Sequence, residues 1–183
     1  WAHPSMDAAQ ALMEENGLHH ADVERVEIRT FHYATRLAGH TPASMDELAY
    51  SIAFPVATMI VRGGFGAREM DAAVLADQDI IRVSEATELI DDAEMTARSV
   101  EKRWAAVTII TKDGARYEAE PRSARGDVDA PLSEDEMRDK FHMFADPVLG
   151  RARAEKIRAL CLRFDALDSK EFAGLLDLVL AAP

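Results

Sequence analysis

Six histidines, one cysteine and a glycine-rich turn are the groups from which this 183-residue chain could build chemistry. His3 stands at the mouth of a helical pattern opened by Pro4. An imidazole there suits acid–base work or the holding of a carboxylate, and equally a plain capping or surface role. His19-His20 lies in a turn beside Asp22. Adjacent residues on an extended turn do not converge on one ion, so these two read as solvated loop histidines and no metal is expected. Cys161 stands between Leu160 and Leu162 in a helical pattern and reads as buried and inert. Arg62-Gly63-Gly64-Phe65-Gly66 is glycine-rich but follows a helix, not a strand. It therefore reads as a helix-ending turn, not a phosphate cradle. The chain carries no GxGxxG, P-loop, GxSxG or HExxH signature.

The elements that would position these groups follow from periodicity. A first helix with apolar Met6, Ala9, Leu12 and Met13 stops at Asn16-Gly17. Val26, Ile28 and Thr30 alternate with Arg25, Glu27 and Arg29, which is the pattern of a strand with one wet face. Ser44 and Glu47 form a capping box for a second helix, apolar nearly all round from Ala49 to Val61, with a kink expected at Pro55. Two short helices are expected between Glu69 and Thr87, split near Asp77-Gln78-Asp79. Trp104–Thr111 and Tyr117–Glu120 flank Asp113-Gly114, a two-residue hairpin signal. Past a loop from Arg122 to Leu132, Ser133 and Glu136 cap a helix with a Met137, Phe141, Phe144, Val148 stripe. Asp146-Pro147 marks a break. A second helix carries Ile157, Leu160, Cys161 and Phe164, and a last one, capped by Ser169, carries Phe172, Leu175, Leu176 and Val179.

Strands and helices do not alternate as βαβ units, so the fold class is α+β. A small antiparallel sheet packed by helices is expected over residues 1–130, with C-terminal helices over 131–183.

Composition narrows the partners. Asp and Glu number 33 against 21 Lys and Arg, a formal net charge of -12. Such a chain repels nucleic acid and anionic membrane surfaces. The longest apolar run, Ile52 to Val61, is far below the ~20 residues that span a bilayer. A lone cysteine allows no disulfide within the chain, and a reducing, cytoplasmic setting is expected. The chain opens on Trp1-Ala2-His3-Pro4 without Met and is expected to be a part of a larger protein.

An ordered series of segments resembles the MmgE/PrpD family. It comprises Ala2-His3-Pro4-Ser5-Met6-Asp7-Ala8-Ala9, Glu47 to Ala57 with trailing Gly63, and Val107-Thr108-Ile109-Ile110-Thr111-Lys112-Asp113-Gly114. Gly126-Asp127, Pro131-Leu132-Ser133 and Lys140-Phe141 complete it. The resemblance implies a large all-helical domain with an inserted α+β lid. Residues 1–130 would be most of the lid, and 131–183 the helices that return to the helical domain. It implies cofactor-free lyase or isomerase chemistry on a small carboxylate, such as dehydration of 2-methylcitrate, decarboxylation of cis-aconitate or epimerisation of iminodisuccinate. It implies a homodimer, and catalytic residues mostly in the helical domain, with a lid lysine just before Trp1. His3, Ser51 and Phe54 are the substrate-binding candidates it implies in this chain. The position of Phe54 is similar to one where some members place an active-site Tyr. Phe has no hydroxyl, so a proton-donor role is lost there and decarboxylation fits less well. The competing reading is a non-catalytic interaction or oligomerisation module, since few titratable groups converge.

Overall fold

The computed structural model describes residues 1–37, 39–66 and 69–182. Contacts divide the chain into two compact units, Trp1–Pro131 and Leu132–Pro183.

In the first unit, α1 spans His3–Glu15, with Pro4 in its first turn, where a missing N–H costs nothing. It buries Met6, Ala8, Ala9 and Leu12. Strand β1 spans Val23–Thr30 and buries Val23, Val26, Ile28 and Thr30 while Arg25 and Arg29 face water. Helix α2 (His32–Thr35) follows directly.

The second helical segment is two helices, not one kinked helix. Helix α3 spans Met45–Ala49, capped by Ser44, which accepts from the Glu47 N–H. The chain turns at Tyr50–Ile52, and α4 spans Ala53–Arg62. Pro55 therefore falls in the first turn of α4, where its absent donor is tolerated, and the helix it would have kinked ends before it. Gly63 closes α4 in the left-handed conformation, φ 71°.

Helix α5 (Gln78–Glu85) is capped by Asp77. Strand β2 (Thr87–Asp91) and helix α6 (Ala93–Arg98), capped by Asp92, come next. Strands β3 (Ala105–Thr111) and β4 (Arg116–Glu118) form the hairpin. Its loop has three residues, not two: the Thr111 N–H donates to Ala115 O, and Gly114 takes φ 85°.

The four strands lie in the order β2-β1-β3-β4. β1 pairs antiparallel with β3, and β3 with β4, but β1 and β2 are parallel. The sheet is thus mixed, not purely antiparallel as the sequence suggested. The connection from β1 to β2 runs through α2 to α5, which provides the long crossover that parallel pairing requires. The fold class is α+β. Helix α1 packs on β3 and α4, and α4 packs on α5. Phe54, Ile28, Leu48, Ile52, Ile80 and Val26 are among the fully buried side chains of the core they share.

In the second unit, α7 spans Glu134–Leu149, with a complete capping box between Ser133 and Glu136. It runs through Pro147 and ends at Gly150, so Asp146-Pro147 is not a break. Helix α8 spans Arg151–Cys161. Helix α9 spans Ser169–Leu180 and is capped by Asp168, not Ser169. Cys161 is exposed, not buried. Among the described residues no helix is long and apolar enough to cross a membrane.

Candidate functional site

A cleft of about 230 Å³ opens in the first unit beside the start of α1. Trp1, Ala2, His3 and Met6 line it, together with Leu48 of α3, Ser51 and Ile52 of the turn that follows, and Pro55 of α4. Two of the three candidates from the sequence thus share this cleft. His3 is exposed at the first position of α1. Ser51 is only 4% exposed, and its hydroxyl is engaged. It donates to Gly39 O at 2.5 Å and accepts from the Phe54 N–H at 3.2 Å. A hydroxyl has one proton, and that of Ser51 is already given to Gly39 O. Phe54 does not line the cleft. Its side chain, from the first turn of α4, is fully buried in the core.

His3 is the one ionisable side chain among the described residues that line this cleft. The wall can thus provide one proton-exchanging or cationic group, set in an apolar surface of Ala2, Met6, Leu37, Leu48 and Ile52. That is a surface able to exclude water and shape a ligand, with little chemistry of its own.

A cation sits behind this wall. Arg103, in the segment between α6 and β3, places its guanidinium 5.8 Å from the Trp1 ring centre and 5.4 Å from that of Phe31. The two rings meet edge to face at 5.2 Å. Pairing of Thr30 with Ala105 brings the end of β1 to the start of β3 and so gathers these residues. Nothing in the spacing of the sequence announced this cluster, because its members come from three distant segments.

The other histidines serve the scaffold. His40 Nδ1 lies 2.7 Å from Ser84 O, and the Ser84 hydroxyl donates back to His40 O at 2.6 Å. His32 Nδ1 lies 2.6 Å from Asp91. His19 and His20 stack on each other at 4.3 Å, and His19 Nδ1 accepts from the Ala21 N–H. Among the described residues no group of three or more His, Cys, Asp and Glu is arranged to hold a metal ion.

In the second unit His142 is 4% exposed, with Nδ1 2.7 Å from Asp146 and Nε2 2.8 Å from Glu155. Arg151 joins Asp146 at 3.0 Å, and Arg158 joins Glu155 at 2.8 Å. These five side chains tie α7 to α8. Hydrogen bonding from Arg158, which outweighs the cost of burial, and then from His142, holds the Glu155 carboxyl down at about 2. Burial works against ionised Asp146, but hydrogen bonds from His142 and Arg151 outweigh it and keep that carboxyl below its usual range. Each carboxylate has its own cation and all lie within one helix pair, which describes a structural clamp.

The first unit is therefore an α+β body with a small, mostly apolar cleft at the head of α1. Residues 1–165 match the MmgE/PrpD C-terminal domain, and the chain belongs to the MmgE/PrpD family. No curated protein matches it.

Proposed function

We propose that this chain forms the lid-like part, with C-terminal helices, of a cofactor-independent lyase or isomerase that acts on a small polycarboxylate in the manner of 2-methylcitrate dehydratase. One observation carries the reading beyond family membership: among the described residues that line the cleft, His3 is the single ionisable side chain. Removing water from a hydroxy acid needs a base for the proton beside the carboxylate and an acid for the departing hydroxyl. It also needs cations to hold the carboxylates as negative charge develops. This wall cannot meet those needs by itself. It suits a surface that closes over a substrate whose other side is met by proton-transferring residues from a helical domain. In this reading His3 faces the substrate, Ser51 keeps the cleft edge in place, and Phe54 supports α4 from the core. The protein works as a cytoplasmic homodimer.

The test is turnover. The natural protein at full length should convert 2-methylcitrate or a close polycarboxylate, and the 183 residues alone should not. His3→Ala in the full-length protein should lower kcat by about 100-fold or more, the usual weight of a positioned acid–base group. Conversion of a polycarboxylate by the isolated 183 residues would overturn this division of labour.

A second reading, an interaction module without chemistry, is supported by the second unit. Met137, Phe144 and Val148 stand exposed along α7 beside Phe141, an open apolar stripe.

A further inference from the structure

We propose that His142 is held as an imidazolium cross-link between α7 and α8, and that loss of its proton as pH rises releases the pair. The second unit thereby carries a pH-sensitive fastening built on one buried ring.

Both ring nitrogens face acceptors. Nδ1 lies 2.7 Å from Asp146 Oδ1 and Nε2 2.8 Å from Glu155 Oε2, the spacing of charge-assisted bonds. Neutral imidazole has one N–H and one lone pair, whereas imidazolium has two N–H donors. An ionised carboxylate only accepts, so a neutral ring would set its lone pair against one of the two oxygens. Neither carboxylate supplies the missing proton. Hydrogen bonding from Arg158 first, and then from His142, holds Glu155 at about 2. Asp146 is kept ionised against the pull of burial by His142 and Arg151. The ring is 4% exposed, so water has little access to relieve a mismatch.

The surrounding charges permit a cation there. Asp146 of α7 and Glu155 of α8 are the two charged groups at ion-pair distance from the ring among the described residues. Arg151 and Arg158 of α8 oppose a third positive charge, but each is bonded to one of those carboxylates, at 3.0 and 2.8 Å. One turn earlier on α7, Arg138 pairs with Asp135 and Asp139. On α9, Glu171 pairs with Arg163, and neither Lys170 nor Asp177 lies at ion-pair distance from the ring. The two touching anions decide the balance, because Coulomb attraction is strongest at contact.

The corner that the cross-link spans has weak local support. Pro147 lies inside α7 and lacks the N–H that would bond Met143 O. Gly150 ends α7 at φ 74°, and α8 starts from it without a side-chain cap. Arg151 and Arg153 occupy the first turn of α8, where the helix dipole favours anions instead. A bond from His142, before Pro147, to Glu155, beyond Gly150, fastens what these residues leave loose. Its release reaches further, because Arg153 of α8 caps α9 by donating to Leu178 O at 2.8 Å and Ala182 O at 3.0 Å. The sign follows from which form makes the bonds. The contribution is complete below pH ~6.5, where the imidazole of an unfolded chain is charged as well, and is lost as pH rises beyond that.

The experiment is hydrogen exchange read by mass spectrometry on the natural full-length protein, from about pH 6 to 9. Peptides from α7 and α8 are compared with peptides from β1 and β3, which cancels the general acceleration of exchange by base. In the wild-type protein the α7–α8 peptides should lose about 10-fold or more in relative protection across that range. In His142→Gln they should be less protected at pH 6 and show no further relative loss. Glu155→Gln gives a second reading should His142→Gln fail to fold. Its amide can donate to or accept from the ring, so either form of His142 is met and the relative loss should shrink. A wild-type protein whose relative protection stays level would overturn the proposal. So would a loss of the same size in wild type and in the folded variants.

Discussion

The hydroxyl of Ser51 caps the backbone of Phe54, accepting its N–H at 3.2 Å, while donating to Gly39 O at 2.5 Å. One side chain thereby satisfies a first-turn N–H of α4 and holds the loop before α3. Ser51→Ala should cost about 1–2 kcal/mol, the scale of a lost helix cap together with a lost buried bond. The approach at Gly39 is close: a Cβ there would lie 2.8 Å from the Ser51 Cβ, with φ +46°. Gly39→Ala should therefore destabilise further. Ser51→Gly in that background should relieve the contact but not the backbone strain. Urea unfolding of the single and double variants measures both.

Phe54 is fully buried, so a hydroxyl added to its ring would enter the core and not the cleft. Phe54→Tyr should destabilise by about 1–3 kcal/mol, the cost of a buried polar group without a partner. Unfolding that matches wild type would show that the ring edge reaches water or an acceptor.

The clamp between α7 and α8 should respond to acid. Glu155 titrates at about 2 in the folded chain against an ordinary 4.5. The folded state thus holds this carboxylate's negative charge more firmly than the unfolded state does. Its contribution is complete above pH 4.5 and is lost as pH falls toward 2. Helical circular dichroism followed from pH 6 to 2 should show α7–α8 loosening in that window. Glu155→Gln should remove most of that dependence while lowering helicity at neutral pH.

The apolar stripe of α7 should make the 183 residues self-associate. Met137 is 57% exposed and Val148 58%, and Phe141 and Phe144 line the same open surface. Sedimentation should show concentration-dependent dimers or larger species, and Phe144→Lys should shift them toward monomer. A monomer at all concentrations would count against both a covering partner and a second copy on this surface.

The reading of single elements from sequence succeeded where a local signal was complete. The alternation of Val26, Ile28 and Thr30 marked β1, and Ser44 and Ser133 capped their helices as their spacing with Glu47 and Glu136 required. It failed where a partner decided the outcome. Thr87-Glu88-Leu89-Ile90-Asp91 has no clean alternation, and becomes β2 because β1 lies alongside to pair with it. Helix α6 is short, and its one local signal, Asp92, stands in a charged stretch where an acidic residue is unremarkable. Pro55 suggests a kink within one long helix, but the chain instead ends α3 before it and starts α4, with Pro55 in the first turn. The site divides in the same way. His3 and Ser51 were named from a resemblance and line one cleft, whereas Arg103 needed the pairing of Thr30 with Ala105 to come near Trp1.

That central strand also sets a timetable for biosynthesis. β1 takes both of its neighbours from later in the chain, so Val23–Thr30 leaves the ribosome with two unpaired edges. It must wait for Thr87–Asp91 and then Ala105–Thr111 to be made, on the order of several seconds at ~5–20 residues per second. During that interval the nascent segment exposes unpaired backbone on both sides, the kind of edge that other chains can join.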